Sequence, residues 1–289
     1  LKAGAMKEPS AIAVGDVDGD GDLDILFTQY KEPYISGQLP TPYYDANDGH
    51  RRSLLLNLGR NRFRDATQSS GLADLGRRRT YGASFIDLDG DQDLDLFVTS
   101  DFAGVDVFEN IGSARFKRQN TAWLPVRNSF GMSHTFADLN GDGQTDAYVT
   151  GMASTTARRL SALGLGRKEF EKHQSMRPVM GHGNRLYLGA QKPMVVAPYN
   201  DSVARSGWSW GTTAPDIDND GFPELFVANG HISGKTATDY CTEFWRHDIY
   251  AGSSDDDAEL ESYYATKFEA RKQAGVSWNG FEHNHLFVN

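Results

Sequence analysis

Four stretches of the chain carry one nine-residue pattern: Asp16–Asp24, Asp87–Asp95, Asp138–Asp146 and Asp216–Glu224. Positions one, three and five are Asp16, Asp18 and Asp20; Asp87, Asp89 and Asp91; Asp138, Asn140 and Asp142; Asp216, Asp218 and Asp220. Position nine is Asp24, Asp95, Asp146 or Glu224, and position seven is Asp22, Asp93, Gln144 or Phe222. Carboxylates this close repel and are ionised at neutral pH, so the pattern needs a cation or a solvated acidic turn to explain it. Alternate residues of a tight loop point one way, so positions one, three and five can converge on one ion. Position seven adds its backbone carbonyl and position nine closes the shell. Hard oxygen donors in that number suit calcium, and the four copies together predict up to four Ca2+ ions. A single copy would be an unremarkable acidic turn; four in one register are not.

The residues after each loop exclude the helix-flanked type of calcium site. That motif needs a glutamate at position twelve, where this chain has Phe27, Val98, Val149 and Val227. The loops run instead into "DILFT", "DLFVT", "DAYVT" and "ELFVA", which read as β-strands. Position six is Gly21, Gly143 and Gly221 but Gln92 in the second loop, where a left-handed backbone would cost about 1 kcal/mol and weaken that site.

The repeat extends beyond the loop. A small residue stands five positions before each first aspartate: Ala11, Gly82, Ser133 and Gly211. Third strands end at Asn57, Asn110, Gly189 and Asn289, and the first two continue as "NLGRNRF" and "NIGSARF". In the third copy the pattern decays into "GAQKPMV", and the fourth meets the end of the sequence. One unit therefore reads strand, loop, strand, connection, strand, turn, strand. The prediction is an all-β chain, a β-propeller of four-stranded antiparallel blades with the calcium loops between strands one and two. We place 1–289 in a single propeller domain or fragment, with units at about 11–80, 81–130, 131–209 and 210–289.

Spacings locate the variable part. From the end of strand three to the next loop the chain takes 30, 28 and 27 residues, whereas from loop to end of strand three it takes 41, 23, 51 and 73. The length variation falls between strands two and three, at insertions 31–50, 152–183 and 231–283. In an antiparallel blade those connections lie on the face opposite the loops, where binding residues on a rigid scaffold are expected. The last insertion contains a helix pattern: Asp255 to Asp257 suit its start, Leu260, Tyr263, Tyr264 and Phe268 share a face, and Gly275 can end it. It reads as a cap on its own blade, or more sharply as a partner-binding face. Trp245, Arg246, Tyr250, Arg158 and Arg159 suit a protein or sugar partner.

The four loops and the "LLLNLGRNRF" and "VFENIGSARF" strands resemble the FG-GAP or VCBS repeat family of calcium-loop propellers, as in integrin α-subunits and secreted bacterial proteins. "WSWGTTAPDIDNDGFPELFVANGH" resembles further the bacterial branch related to cartilage acidic protein. The resemblance implies a ring of more blades than four, often seven, and hence further blades outside this sequence.

A formal charge of −10 argues against a nucleic-acid partner, and no apolar run is long enough to span a membrane. Cys241 is the only cysteine, so no internal disulfide forms. "GWSWG" matches a hydrolase nucleophile pattern but leads into a strand, not the required strand-to-helix elbow. "HNH" at His283 to His285 lacks a third ligand, Cys241 and His247 lack an orienting group, and Asn200-Asp201-Ser202 is a glycosylation sequon. The expected function is a non-catalytic, calcium-stabilised recognition or scaffold module, extracellular, periplasmic or cell-surface, with a protein or carbohydrate partner on the insertion face. Two alternatives stand beside it: a polysaccharide lyase or hydrolase using His231, Asp239, His247 and Tyr250, and a structural subunit of a larger envelope complex.

Overall fold

The computed structural model describes residues 6–189, 192–230, 244–245, 252–274 and 282–289. Four antiparallel sheets carry it. The first holds β1 (Pro9–Gly15), β2 (Asp24–Gln29), β3 (Ser53–Asn57) and β4 (Phe63–Asp65). The second holds β5 (Arg79–Ile86), β6 (Asp95–Asp101), β7 (Gly104–Asn110) and β8 (Phe116–Arg118). The third holds β9 (Gly131–Ala137), β10 (Asp146–Gly151), β11 (Arg185–Leu188) and β12 (Val195–Val196). The fourth has β13 (Ser209–Thr213), β14 (Leu225–Asn229) and β15 (His285–Phe287). Strand order within each sheet is the order in the chain. The decayed "GAQKPMV" stretch still yields β12, two residues paired with Tyr187 and Leu188.

Period-two alternation builds the packing. In β6, Leu96 and Val98 face the first sheet and join Leu26, Leu54 and Leu56, while Phe97 faces the third sheet and joins Ala147, Val149 and Tyr187. Every residue of β6 is buried because a sheet covers each of its faces. Tyr148 and Leu186 then meet Leu225 and Val227 between the third and fourth sheets. First strands stand side by side, β1 against β5, β5 against β9 and β9 against β13. No closed ring forms among the described residues.

The small residues before the loops mark bulges: pairing shifts register between Pro9 and Ile12, Thr80 and Gly82, and Ser209 and Gly211. At Gly82 a Cβ would stand 3.2 Å from His134 Nδ1 of the neighbouring first strand, so a larger residue would push the strands apart.

Helices lie in the connections: α1 (Asn120–Trp123), α2 (Thr155–Ala162), α3 (Glu171–Met180), α4 (Asn200–Val203) and α5 (Ala258–Gln273). Asp257 caps α5, its Oδ1 accepting the amides of Glu259 and Leu260 at 3.0 Å each. Gly275, the expected end of that helix, lies outside the described residues.

Packing of α5 corrects the reading that it caps its own blade. Its apolar face meets the first insertion: Tyr264 lies 4.4 Å from Tyr34 and Phe268 6.0 Å, ring centre to ring centre. The amide of Asp257 donates to Ser36 O at 2.7 Å. The three insertions fold together into one apolar core that joins Leu39 and Tyr43 of the first unit, Ala157 and Met180 of the third unit, and Trp245 and Tyr264 of the fourth unit. Trp245, expected to meet a partner, is buried there and its indole N–H donates to Ser154 Oγ at 3.0 Å. A tryptophan this apolar gains more from filling an internal cluster than from solvent exposure.

Candidate metal centres and the opposite face

Backbone conformation shapes the loops first. Position four takes positive φ at Gly19, Gly90, Gly141 and Asn219, and position six at Gly21, Gln92, Gly143 and Gly221. Gln92 holds φ 75°, so the second loop adopts the shape of its neighbours with a residue that resists it. These two left-handed steps curl the backbone around position one. Asp16 accepts the amides of Gly19, Asp20 and Gly21; Asp87 those of Gly90 and Gln92; Asp138 those of Asp142 and Gly143; Asp216 those of Asp220 and Gly221.

Position nine is a junction. One oxygen holds the loop: Oδ2 of Asp24, Asp95 and Asp146 accepts the amide of Val17, Leu88 and Leu139, and Glu224 Oε2 accepts that of Ile217. In the first three sheets Oδ1 accepts a third-strand amide, from Asn57, Asn110 and Gly189, each at 2.8 Å. The carboxylate thus ties the loop to strand three, and Asp24, Asp95 and Asp146 are each 0% exposed.

Oxygens of positions one, three and nine lie within 4.8 Å of one another in three loops: Asp16, Asp18 and Asp24; Asp87, Asp89 and Asp95; Asp216, Asp218 and Glu224. The third loop has the same position-one and position-nine aspartates, Asp138 and Asp146, with Asn140 between them in sequence. Position five stands outside these trios. Asp20, Asp91, Asp142 and Asp220 each accept the amide two residues ahead, at position seven. That local turn is the preferred geometry of an aspartate two residues before a free N–H.

The electrostatics of the trios are unbalanced. Burial, then the charges of Asp24 and Asp20, push the Asp18 carboxyl up. Burial raises Asp24 and Asp146, and raises Asp95 to about 6. Asp18 Oδ1 and Glu224 Oε1 are buried and accept no hydrogen bond. One orphaned acceptor in each of two anionic clusters fits a cation of hard-donor preference. The second loop differs: Lys192 Nζ, from the third unit, lies 3.6 Å from Asp89 Oδ2, 3.2 Å from Glu109 Oε1 and 4.2 Å from the centre of the Trp123 ring. Its ammonium already offsets part of the charge there, a feature that nothing in the loop's own nine residues signals.

The face opposite the loops is where strand two ends and strand one begins. A cavity of about 350 Å³ lies there, walled by Tyr30, Tyr81, Phe102, Phe130, Trp208 and Trp210 among others. Tyr30 stacks on Tyr81 at 4.1 Å, and Tyr81 meets Trp210 edge-on at 5.9 Å. Asp101, 5% exposed, closes one side; its Oδ2 accepts the Tyr30 hydroxyl at 3.0 Å and its Oδ1 the amide of Phe102. Burial raises its carboxyl to about 7. Trp208 and Trp210 belong to the "GWSWG" stretch, and the other wall residues carried no sequence motif. Only their places at strand ends and bulges bring them together.

Other candidates resolve individually. Ser209 of "GWSWG" is a fully buried β13 residue sharing a hydrogen bond with Ser206, so no nucleophile elbow exists. Asn200 of the sequon is buried and its Oδ1 accepts the amide of Leu186 at 2.8 Å, closed to glycosylation in the folded chain. His285 is a strand residue beside Phe287, and no acidic or metal-type group of three among the described residues includes it or His283. Arg159 is exposed, while Arg158 reaches Thr155 Oγ1 at 3.3 Å. His231, Asp239, Cys241, Arg246, His247 and Tyr250 lie outside the described residues.

Fold and loops together define a β-repeat protein whose sheets each open on an acidic loop. Residues 87–149, from the first aspartate of the second loop to Val149 of β10, match the family model described as an FG-GAP-like repeat. No curated protein matches the chain. No helix among the described residues is long and apolar enough to cross a membrane.

Proposed function

We propose that this chain is a calcium-stapled, propeller-type recognition or scaffold module working outside the cytosol. The observation that carries the reading is the recurrent trio of positions one, three and nine, with Asp18 Oδ1 and Glu224 Oε1 left without a donor. Calcium would be held by Asp16, Asp18 and Asp24; by Asp87, Asp89 and Asp95; by Asp138, Asn140 and Asp146; and by Asp216, Asp218 and Glu224. It would supply charge neutralisation and a staple between strands one and two. Loops this open suit the millimolar calcium outside cells, which favours an extracellular, periplasmic or cell-surface setting. The FG-GAP-like match and the run of sheets support a propeller, and the sequence of Trp208 to His231 alone suggests its bacterial branch. Ligand recognition belongs to the co-folded insertion face, toward a protein or carbohydrate partner. Metal binding that exists only in the folded chain is folding energy. Thermal denaturation in excess EDTA and in about 2 mM calcium, the extracellular scale, tests this. A melting temperature raised by calcium by roughly 10 °C or more is expected; identical melting curves refute the staple.

A further inference from the structure

The cavity on the face opposite the loops has walls and polar groups of two distinct kinds. Its walls are aromatic, and its polar groups are carboxylates: buried Asp101 inside, Glu8 and Glu32 at the rim. Two donors that a sugar would use are already spent. The Trp210 indole N–H donates to Gly230 O at 2.6 Å, and the Tyr30 hydroxyl to Asp101. Cations near the cavity are spent as well. Arg79 forks onto both Asp48 oxygens at 3.0 and 2.8 Å and also reaches Lys31 O. His50 stands 3.5 Å from Glu8 Oε1, and Glu8 Oε2 accepts the amide of Glu32. What remains to be matched is the negative charge of Asp101 and Glu32 beside π-faces, in a chain of formal charge −10.

From this charge complementarity we infer that the cavity binds a small organic cation, an alkylated ammonium head seated against Tyr81 and Trp210 with its charge facing Asp101. The inference deepens the recognition-module reading and rests on it for the role of this face. An ammonium sheathed in methyl groups sheds its water cheaply and is drawn to the faces of tryptophan and tyrosine. The volume, at the low end for ligand cavities, accommodates one such head. Met132 and Met152, both buried, line the cavity and offer adaptable apolar contact to the alkyl groups.

The test uses tryptophan fluorescence of the calcium-loaded chain titrated with tetramethylammonium, choline and 3,3-dimethyl-1-butanol, the uncharged carbon analogue of choline. Saturable quenching is expected for both ammonium ions, with choline at least about tenfold tighter than its analogue. Trp210→Ala and Asp101→Asn should each weaken choline about tenfold. Glu32→Gln, at an exposed side chain with no hydrogen bond among the described residues, should weaken it about threefold with an unchanged melting curve. Equal affinity for choline and its neutral analogue, tighter binding of glucose than of choline, or no saturation by either ammonium ion up to about 50 mM overturns the inference. A calcium-raised melting temperature alongside any of those results leaves the module standing and removes only its ligand class.

Discussion

Asp95→Asn probes the junction on which the repeat is built. Asp95 is wholly buried, its Oδ2 accepting the amide of Leu88 at 3.1 Å and its Oδ1 that of Asn110 at 2.8 Å. An asparagine of the same shape turns one acceptor into a donor facing an amide donor. One charge-assisted bond is lost and one buried N–H is left unmatched, about 3–5 kcal/mol in all. Relief from burying a charge returns part of this, since burial already lifts the Asp95 carboxyl to about 6. The net cost without calcium is then about 2–3 kcal/mol, or a melting temperature lower by about 4–12 °C for a chain of this size. Calcium should widen the gap, because the variant also loses a ligand of the second loop. Asp93→Asn is the control: its position offers calcium a backbone carbonyl, so it should melt with the parent. Differential scanning calorimetry in EDTA and in calcium reads both. If Asp95→Asn melts within about 2 °C of the parent in EDTA, the carboxylate is not the tie between loop and third strand. If its gap to the parent is no wider in calcium, position nine is not a ligand.

Two further outcomes concern charges placed by neighbouring units. Lys192→Met removes the ammonium beside Asp89 and should tighten calcium at the second loop by up to about fivefold, read by calorimetric titration; unchanged affinity means Lys192 does not compete there. Asp106, wholly buried, accepts from Arg78 at 3.0 Å, Arg118 at 3.0 Å and Asn120 at 2.7 Å. Burial raises its carboxyl, but Arg78 and Arg127 outweigh that and hold it down to about 2. A depressed folded value stabilises the fold above the unfolded value near 4, and that stability is lost as pH falls toward 2. Urea titrations at pH 5 and pH 2 should show about 2 kcal/mol less dependence on pH in Asp106→Asn than in the parent. Equal pH dependence would mean Asp106 titrates normally. Removing this anion leaves Arg78, 1% exposed, paired with Asp45 alone at 2.7 Å, so the variant should be less stable by about 1–3 kcal/mol at pH 7.

The loops and strands were legible because they are local. A left-handed residue at position six, an aspartate at position one and the strand that follows position nine are written within or directly after nine consecutive residues. The need for positive φ at Gln92 was readable the same way, since its three counterparts are glycines. Position five is harder to read, also for a local reason. An aspartate there can turn to an ion or to the amide two residues ahead, and Asp20, Asp91, Asp142 and Asp220 all hold that amide. Composition could say that Leu260, Tyr264 and Phe268 form an apolar face, but not which segment covers it.

The covering segment lies more than 200 residues away in the chain, at Tyr34 and Ser36. Insertions placed on one face by the parity of an antiparallel sheet are brought close enough to bury one another, and three segments that cannot each form a core do so jointly. Trp245 therefore turns inward although its sequence neighbourhood reads as a docking surface. The same convergence makes the cavity. Tyr30 follows β2 and Asp101 ends β6, and Tyr81 and Trp210 lie among the opening residues of β5 and β13. Each is ordinary in its own stretch of sequence. Only the side-by-side stacking of first strands, which sets Tyr81 5.9 Å from Trp210, turns them into one aromatic wall facing a buried carboxylate. A binding site at this end is thus a property of the assembled repeats, and changes in its ligand preference can arise at four strand ends without disturbing a single aspartate loop.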